Sequence, residues 1–178
     1  MSFSQDIKKS NTDEWYTLAE DVELIVPFLH RGGYRKILCP FDTEQSEYVQ
    51  VLTKEGFDVT YGHIWTGQDF FSIEDFSEWD AVVSNPPFSK REAILERLYE
   101  QKIPFALIMN SNGLFDSKKR WQMFKDNKVE LLIPLGRMHF SNGEKALNSP
   151  NFQSLYVCKG MTDQVIEFIS KEKQICLF

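Results

Sequence analysis

The sequence predicts an α/β fold, a doubly wound sheet flanked by helices on both faces. Short apolar runs bounded by Gly and Pro recur along the chain: Ile37-Leu38-Cys39, Ala81-Val82-Val83 and Phe105 to Met109. Amphipathic segments of helical length lie between them, and strands alternating with helices at this spacing build doubly wound sheets. At 178 residues the chain suffices for one well-buried domain and is short for two, so residues 1–178 are read as a single domain.

Each element follows from local pattern. Thr17 to His30 places Leu18, Val22, Ile25, Val26 and Leu29 at helical intervals, with Glu20, Asp21 and Glu23 in the half that the helix dipole favours for acids. Gly32-Gly33 ends this predicted helix. Tyr34 to Cys39 reads as a strand closed by Pro40; Thr43 to Lys54 is helical through Tyr48, Val49 and Leu52 and stops at Gly56. Phe57 to Tyr61 is β-rich. Asp80 to Ser84 is a buried strand that Asn85-Pro86-Pro87 must end, because proline cannot donate to a ladder. Lys90 to Glu100 is a helix with Ala93, Ile94, Leu95 and Leu98 on its apolar side, and Phe105 to Met109 is the next strand. Ser117 to Asp126 is helical with Trp121 and Phe124 inward. Glu130 to Leu135 and Gln153 to Val157 are two late strands, separated by the Gly- and Asn-rich stretch from Gly136 to Asn151.

Composition narrows the function classes. Hydrophobic residues make up 42% and aromatics 14% of the chain, enough for a core and against disorder. No apolar run approaches the roughly 20 residues that span a bilayer, so no membrane partner is expected. Met1 to Ser10 lacks a secretory pattern, and the odd trio Cys39, Cys158 and Cys176 has no CxxC spacing; both point to a cytoplasmic protein with reduced thiols. His30, His63 and His139 stand far apart, and no metal site is expected. A net charge of −6 argues against a large constitutive nucleic-acid surface. Locally, Lys118-Lys119-Arg120, Lys90-Arg91, Arg137 and Lys145 are each read either as solvated charge or as a phosphate contact.

Asn85-Pro86-Pro87-Phe88 carries the chemistry. An exocyclic aromatic amine is a poor nucleophile because its lone pair is delocalised into the ring. A side-chain amide oxygen and a backbone carbonyl that each accept one N–H localise that lone pair as charge develops. Asn85 offers the first acceptor and the Pro86 carbonyl the second. The double proline holds the local φ angles, so neither acceptor reorganises. Phe88 is a flat face for stacking an extruded base. The loop has no His, Asp or Glu, and none is required if the amine sheds its proton after transfer.

That tetrapeptide resembles motif IV of the S-adenosylmethionine-dependent amino-methyltransferases, above all the small phage-type DNA N6-adenine methyltransferases. The resemblance covers roughly Asp13 to Lys159. It implies a Rossmann-like class I methyltransferase fold with a mostly parallel seven-stranded sheet flanked by helices, S-adenosylmethionine as cofactor and methyl transfer to the N6 amine of adenine in DNA. Asp13-Glu14-Trp15-Tyr16-Thr17 is similar to the N-terminal cofactor motif, in which Trp15, Tyr16 and Thr17 would hold the methionine end. A helix-entry contact is the plainer reading of Trp15 and Tyr16. Gly67-Gln68-Asp69-Phe70 resembles the element after the third strand, where Asp69 would accept from the cofactor's adenine amine and Phe70 pack on its ring. As a bare residue, Asp69 is an exposed turn carboxylate.

Three departures mark the chain. The loop after the first strand, Cys39-Pro40-Phe41-Asp42-Thr43-Glu44-Gln45-Ser46, contains no glycine. By resemblance to a Pro-Phe-Asp subgroup, Pro40 and Phe41 would line the cofactor pocket, while Asp42 either caps the next helix or meets the sulfonium-amino acid portion. Thr60-Tyr61-Gly62-His63 has no carboxylate for ribose hydroxyls; His63 either substitutes or is an ordinary surface histidine. No separate target-recognition domain is expected, so target choice would fall to Asn110 to Arg120, to Gly136 to Asn151, or to a second copy or partner protein. In those stretches Arg137, His139, Phe140 and Lys145 would grip phosphate and stack the flipped base. The alternatives to DNA are an adenine in RNA, a glutamine amide in protein, or a non-catalytic binding module on the same fold.

Overall fold

In a computed structural model, which describes residues 16–141 and 152–170, the chain forms nine strands and five α-helices among the described residues. In chain order they are β1 (Tyr16–Thr17), α1 (Ala19–Val22), α2 (Val26–Arg31), β2 (Lys36–Cys39), α3 (Glu47–Lys54), β3 (Asp58–Tyr61) and β4 (Ala81–Ser84). There follow α4 (Arg91–Gln101), β5 (Phe105–Asn110), α5 (Lys118–Asn127), β6 (Glu130–Pro134), β7 (Phe140–Ser141), β8 (Ser154–Lys159) and β9 (Ile166–Ile169).

Seven strands make one sheet in the order β3-β2-β4-β5-β8-β6-β9. The pairs β2–β3, β2–β4, β4–β5 and β6–β9 are parallel, and β8 runs antiparallel to both β5 and β6. The sheet is therefore mostly parallel and Rossmann-like, as the alternation predicts. Strand periodicity divides the core between its two faces. Ile37, Cys39, Ala81, Val83, Ala106, Ile108, Tyr156 and Cys158 pack on one side with α1, α2 and α3. Leu38, Val82, Phe105, Leu107, Met109, Leu155 and Val157 pack on the other with α4 and α5.

Three local expectations are corrected. The segment from Thr17 to His30 is two short helices, because Pro27 stands in the first turn of α2; without an N–H it cannot bond back to Glu23, so the first helix cannot run on. Trp121 does not face inward: it is 51% exposed, with the Lys125 ammonium 5.2 Å from its ring centroid. Ala93 is exposed as well. Between β3 and β4, two short 3-10 turns, Ile64–Thr66 and Phe70–Ser72, occupy a stretch to which the sequence reading assigns no helix or strand. The seventh strand of the sheet, beyond the six that local pattern identifies, is β9 at the far edge. The small β1–β7 pair also goes beyond the sequence reading.

The topology positions the site. From β2 the chain crosses to β3 on one side, then returns to β4 on the other. The carboxyl ends of β2 and β4 thus flank a switch point, where open α/β sheets form their ligand crevice.

Candidate active site

A cavity of about 620 Å³ opens over those two strand ends, within the roughly 300–1,000 Å³ of small-molecule sites. Its walls include the loops after β2 and β4, strand β1 and both 3-10 turns.

The β4 loop enters from a fully buried strand, Ala81–Ser84. Asn85 is half-buried and Pro86 buried, and Phe88 begins a single 3-10 turn, Phe88–Lys90, that leads into α4. Asn85, Pro86, Pro87 and Phe88 all line the cavity.

The β2 loop reaches the same cavity without any glycine, through Pro40, Phe41 and Asp42. Phe41 packs on Phe70, ring centroids 5.1 Å apart. The loop is tied to the end of β3 by backbone: Asp42 N–H donates to Gly62 O at 3.0 Å, and Gly62 N–H to Cys39 O at 3.1 Å. Asp42 does not cap α3. Ser46 does, its Oγ accepting from Tyr48 N–H at 3.3 Å, because the helix begins four residues later than spacing suggested. The Asp42 carboxylate instead accepts from two hydroxyls, those of Ser46 and Ser84. It is only 7% exposed, and burial pushes its pKa up to about 6 against the pull of both serines.

His63 and Asp69 start the two 3-10 turns. His63 Nδ1 accepts from Trp65 N–H at 3.2 Å; a nitrogen that accepts carries no proton, so neutral His63 presents Nε2–H. Burial holds its pKa below the ordinary imidazole value. Asp69 accepts from Phe71 N–H at 3.0 Å; it is an exposed turn carboxylate and it lines the cavity. Phe70 is buried among Phe41, Phe71 and Phe76 and forms the cavity's inner wall.

At the amino end, Tyr16 and Thr17 line the cavity and pair with Ser141 and Phe140. A buried hydroxyl chain backs them. Tyr48 Oη lies 3.3 Å from Tyr156 Oη, Tyr156 Oη donates to Asp21 O at 3.0 Å, and the Asp21 carboxylate accepts from His139 N–H at 2.9 Å. Trp15 and Lys145 lie outside the described residues, as does most of Gly136 to Asn151.

The basic residues scatter. Lys90 lines the cavity and is exposed. Lys118 and Lys119 border a separate depression shared with Glu96 and Asp126, and Lys119 pairs with Glu96 at 2.7 Å. Arg120 is not a surface cation. It is buried, and its guanidinium donates to Leu114 O at 2.9 Å, Gly113 O at 2.7 Å and Glu92 at 3.1 Å. It braces the loop after β5 and cannot also hold phosphate. Phe140 is 2% exposed in the core, so it offers no face to a flipped base. Arg137 is exposed beyond the end of β6.

Sequence reasoning missed part of the wall. Ile64, Trp65 and Phe71 line the cavity although 67%, 58% and 41% exposed. Tyr61, Trp65, Phe70 and Phe71 crowd around Gly67 in a stretch too short to bury them all, and that crowding was the available signal.

No family model matches the chain. A 66-residue stretch is 36% identical to the type II methyltransferase M.EcoRI of Escherichia coli, covering 37% of this chain and 20% of that protein. The chain thus matches about a fifth of the length of this curated relative. A precorrin-6y C5,15-methyltransferase of Geobacter metallireducens superposes with a TM-score of 0.45 at 12% identity, over 83% of this chain and 93% of that one. Among the described residues, no helix is long and apolar enough to cross a membrane.

Proposed function

We propose that this chain is an S-adenosylmethionine-dependent methyltransferase that methylates the N6 amine of adenine in DNA. The observation that carries the reading is one cavity, at the sheet's switch point, that joins Asn85-Pro86-Pro87-Phe88 to the β2 loop, β1 and the Asp69-Phe70 turn. The partial identity to a type II methyltransferase supports it.

The residues present fit the cofactor. Phe41, Phe70, Ile64 and Trp65 offer flat or apolar surface for a purine, Asp69 an acceptor for its amine, and His63 Nε2–H a donor toward ribose oxygens. Thr17 and Tyr16 remain for the amino acid end. When bound, S-adenosylmethionine supplies an electrophilic methyl on a positively charged sulfur.

The chain's own work is orientation. The Asn85 amide oxygen and the Pro86 carbonyl take one N–H each from the acceptor amine and draw its lone pair out of conjugation. Phe88 stacks on the base, worth about 1–3 kcal/mol for such contacts. Pro86 and Pro87 hold the acceptors still through the reaction. A base seated against the apolar wall would displace water, which strengthens each hydrogen bond inside.

The test is incubation with tritiated S-adenosylmethionine and adenine-containing DNA of varied sequence, with RNA and protein beside it. Label recovered as N6-methyladenine from DNA is the expected result. Label confined to RNA or to glutamine would shift the acceptor, and label in none of them would remove the reading.

A further inference from the structure

We propose that Asp42 makes this cavity discriminate by charge, favouring the sulfonium cofactor over the neutral thioether left after methyl transfer. The inference rests on the methyltransferase reading and adds to it a means of releasing product.

Three carboxylates line the cavity: Asp42, Glu47 and Asp69. Glu47 and Asp69 are exposed, and water and salt screen them. Asp42 alone of the three is buried, at 7% exposure. It lies where both key loops meet, since one of its oxygens accepts from Ser84, the residue just before Asn85, and the other from Ser46.

Both partners are neutral hydroxyls. Among the described residues no Lys, Arg or His forms an ion pair with Asp42. The charged and titratable groups around it do not compensate it either. Lys90 lines the cavity but stands exposed, and His63 is held toward its neutral form. Behind it, burial raises the pKa of Cys39, Tyr48 and Tyr156, which keeps all three neutral. A buried carboxylate without a cation is costly in an apolar setting, and a cationic ligand in the same cavity relieves that cost. S-adenosylmethionine and S-adenosylhomocysteine share the nucleoside and amino acid parts and differ by one methyl and one positive charge. Asp42 sees that difference.

The carboxylate's pKa near 6 sets the direction with pH. Above it Asp42 is charged and favours the sulfonium; as pH falls through it the charge is lost, and the preference with it.

Calorimetry of the full chain tests this with three probes: S-adenosylmethionine, S-adenosylhomocysteine and the ammonium-bearing analogue sinefungin. The wild-type chain at pH about 7.5 should bind both cations roughly tenfold more tightly than the thioether, the size of one opposite charge in a partly solvated site. Near pH 5 the ratio should approach one. Asp42→Asn should give a ratio near one at both pH values, with its affinity for the thioether kept. If that variant fails to fold, the pH series is run on His63→Gln, in which the ratio must still fall as pH does; a ratio that no longer responds to pH there overturns the proposal. An unchanged ratio in Asp42→Asn, or a wild-type ratio indifferent to pH, overturns the proposal; so does a pH response that survives Asp42→Asn, which would assign it to His63. Equal, saturable binding of all three probes sinks the charge role and leaves the methyltransferase reading standing. No binding of any of them sinks both.

Discussion

The loops after β4 and β5 begin alike and end differently. Each leaves a buried parallel strand at the carboxyl edge of the sheet, and each holds residues suited to nucleic acid: Asn85-Pro86-Pro87-Phe88 in one, the run into Lys118-Lys119-Arg120 in the other. The first lines the cavity. The second turns its strongest cation inward, where Arg120 holds Gly113, Leu114 and Glu92. Two prolines impose a backbone path that needs no help from neighbours, whereas a basic side chain points wherever its best acceptors lie. A rigid motif therefore announces its place in the fold from sequence, and a flexible charge does not.

Substitutions in the two loops should separate along the same line. On the proposed reading, Asn85→Ala is the largest effect, a loss of about 100- to 1,000-fold in methyl transfer with calorimetric cofactor affinity kept, as expected when one aligned acceptor is removed. Normal turnover in that variant would erase the contrast between the loops. Arg120→Ala should act on folding instead, lowering stability by about 3 kcal/mol in a denaturant titration because it strands Glu92 and two carbonyls. If it weakened DNA binding at unchanged stability, the inward assignment would be wrong.

Asp42→Asn should raise stability at pH 7. Its folded pKa of about 6 lies above the ordinary 3.8, so the native state holds this proton more tightly than the unfolded chain. The resulting stability is full below 3.8 and lost as pH rises through about 6. Removing the charge should recover about 1–3 kcal/mol at neutral pH and nothing near pH 3; a variant less stable than wild type at pH 7 contradicts this. Smallest of all is Lys119→Ala. Its pair with Glu96 is exposed on both sides, so water and salt screen it and the melting midpoint should not move measurably.

Much of the fold was legible because buried parallel strands are short apolar runs that Gly and Pro punctuate. The first helix was read as continuous because the apolar spacing from Leu18 to Leu29 persists across the break that Pro27 makes. Strand β9 was invisible. Its residues Ile166 to Ile169 alternate over only four positions at an edge, with Phe168 80% exposed, too short for periodicity to register. Within the cavity wall, Pro40, Phe41 and Asp42 were singled out as the loop after the first strand, and Asp69 and Phe70 by their resemblance to a family motif. Trp65 and Phe71 were not, since an exposed aromatic has no pattern until the surface around it exists.

What the sequence by itself determined is whatever backbone chemistry dictates locally: the strand and helix alternation and the stop at Pro86-Pro87. Only the tertiary structure decided where side chains with several options would go. Asp42 became a buried bridge between Ser46 and Ser84, Arg120 a brace and Phe140 part of the core, because each direction was settled by acceptors and apolar surface contributed from distant positions in the chain.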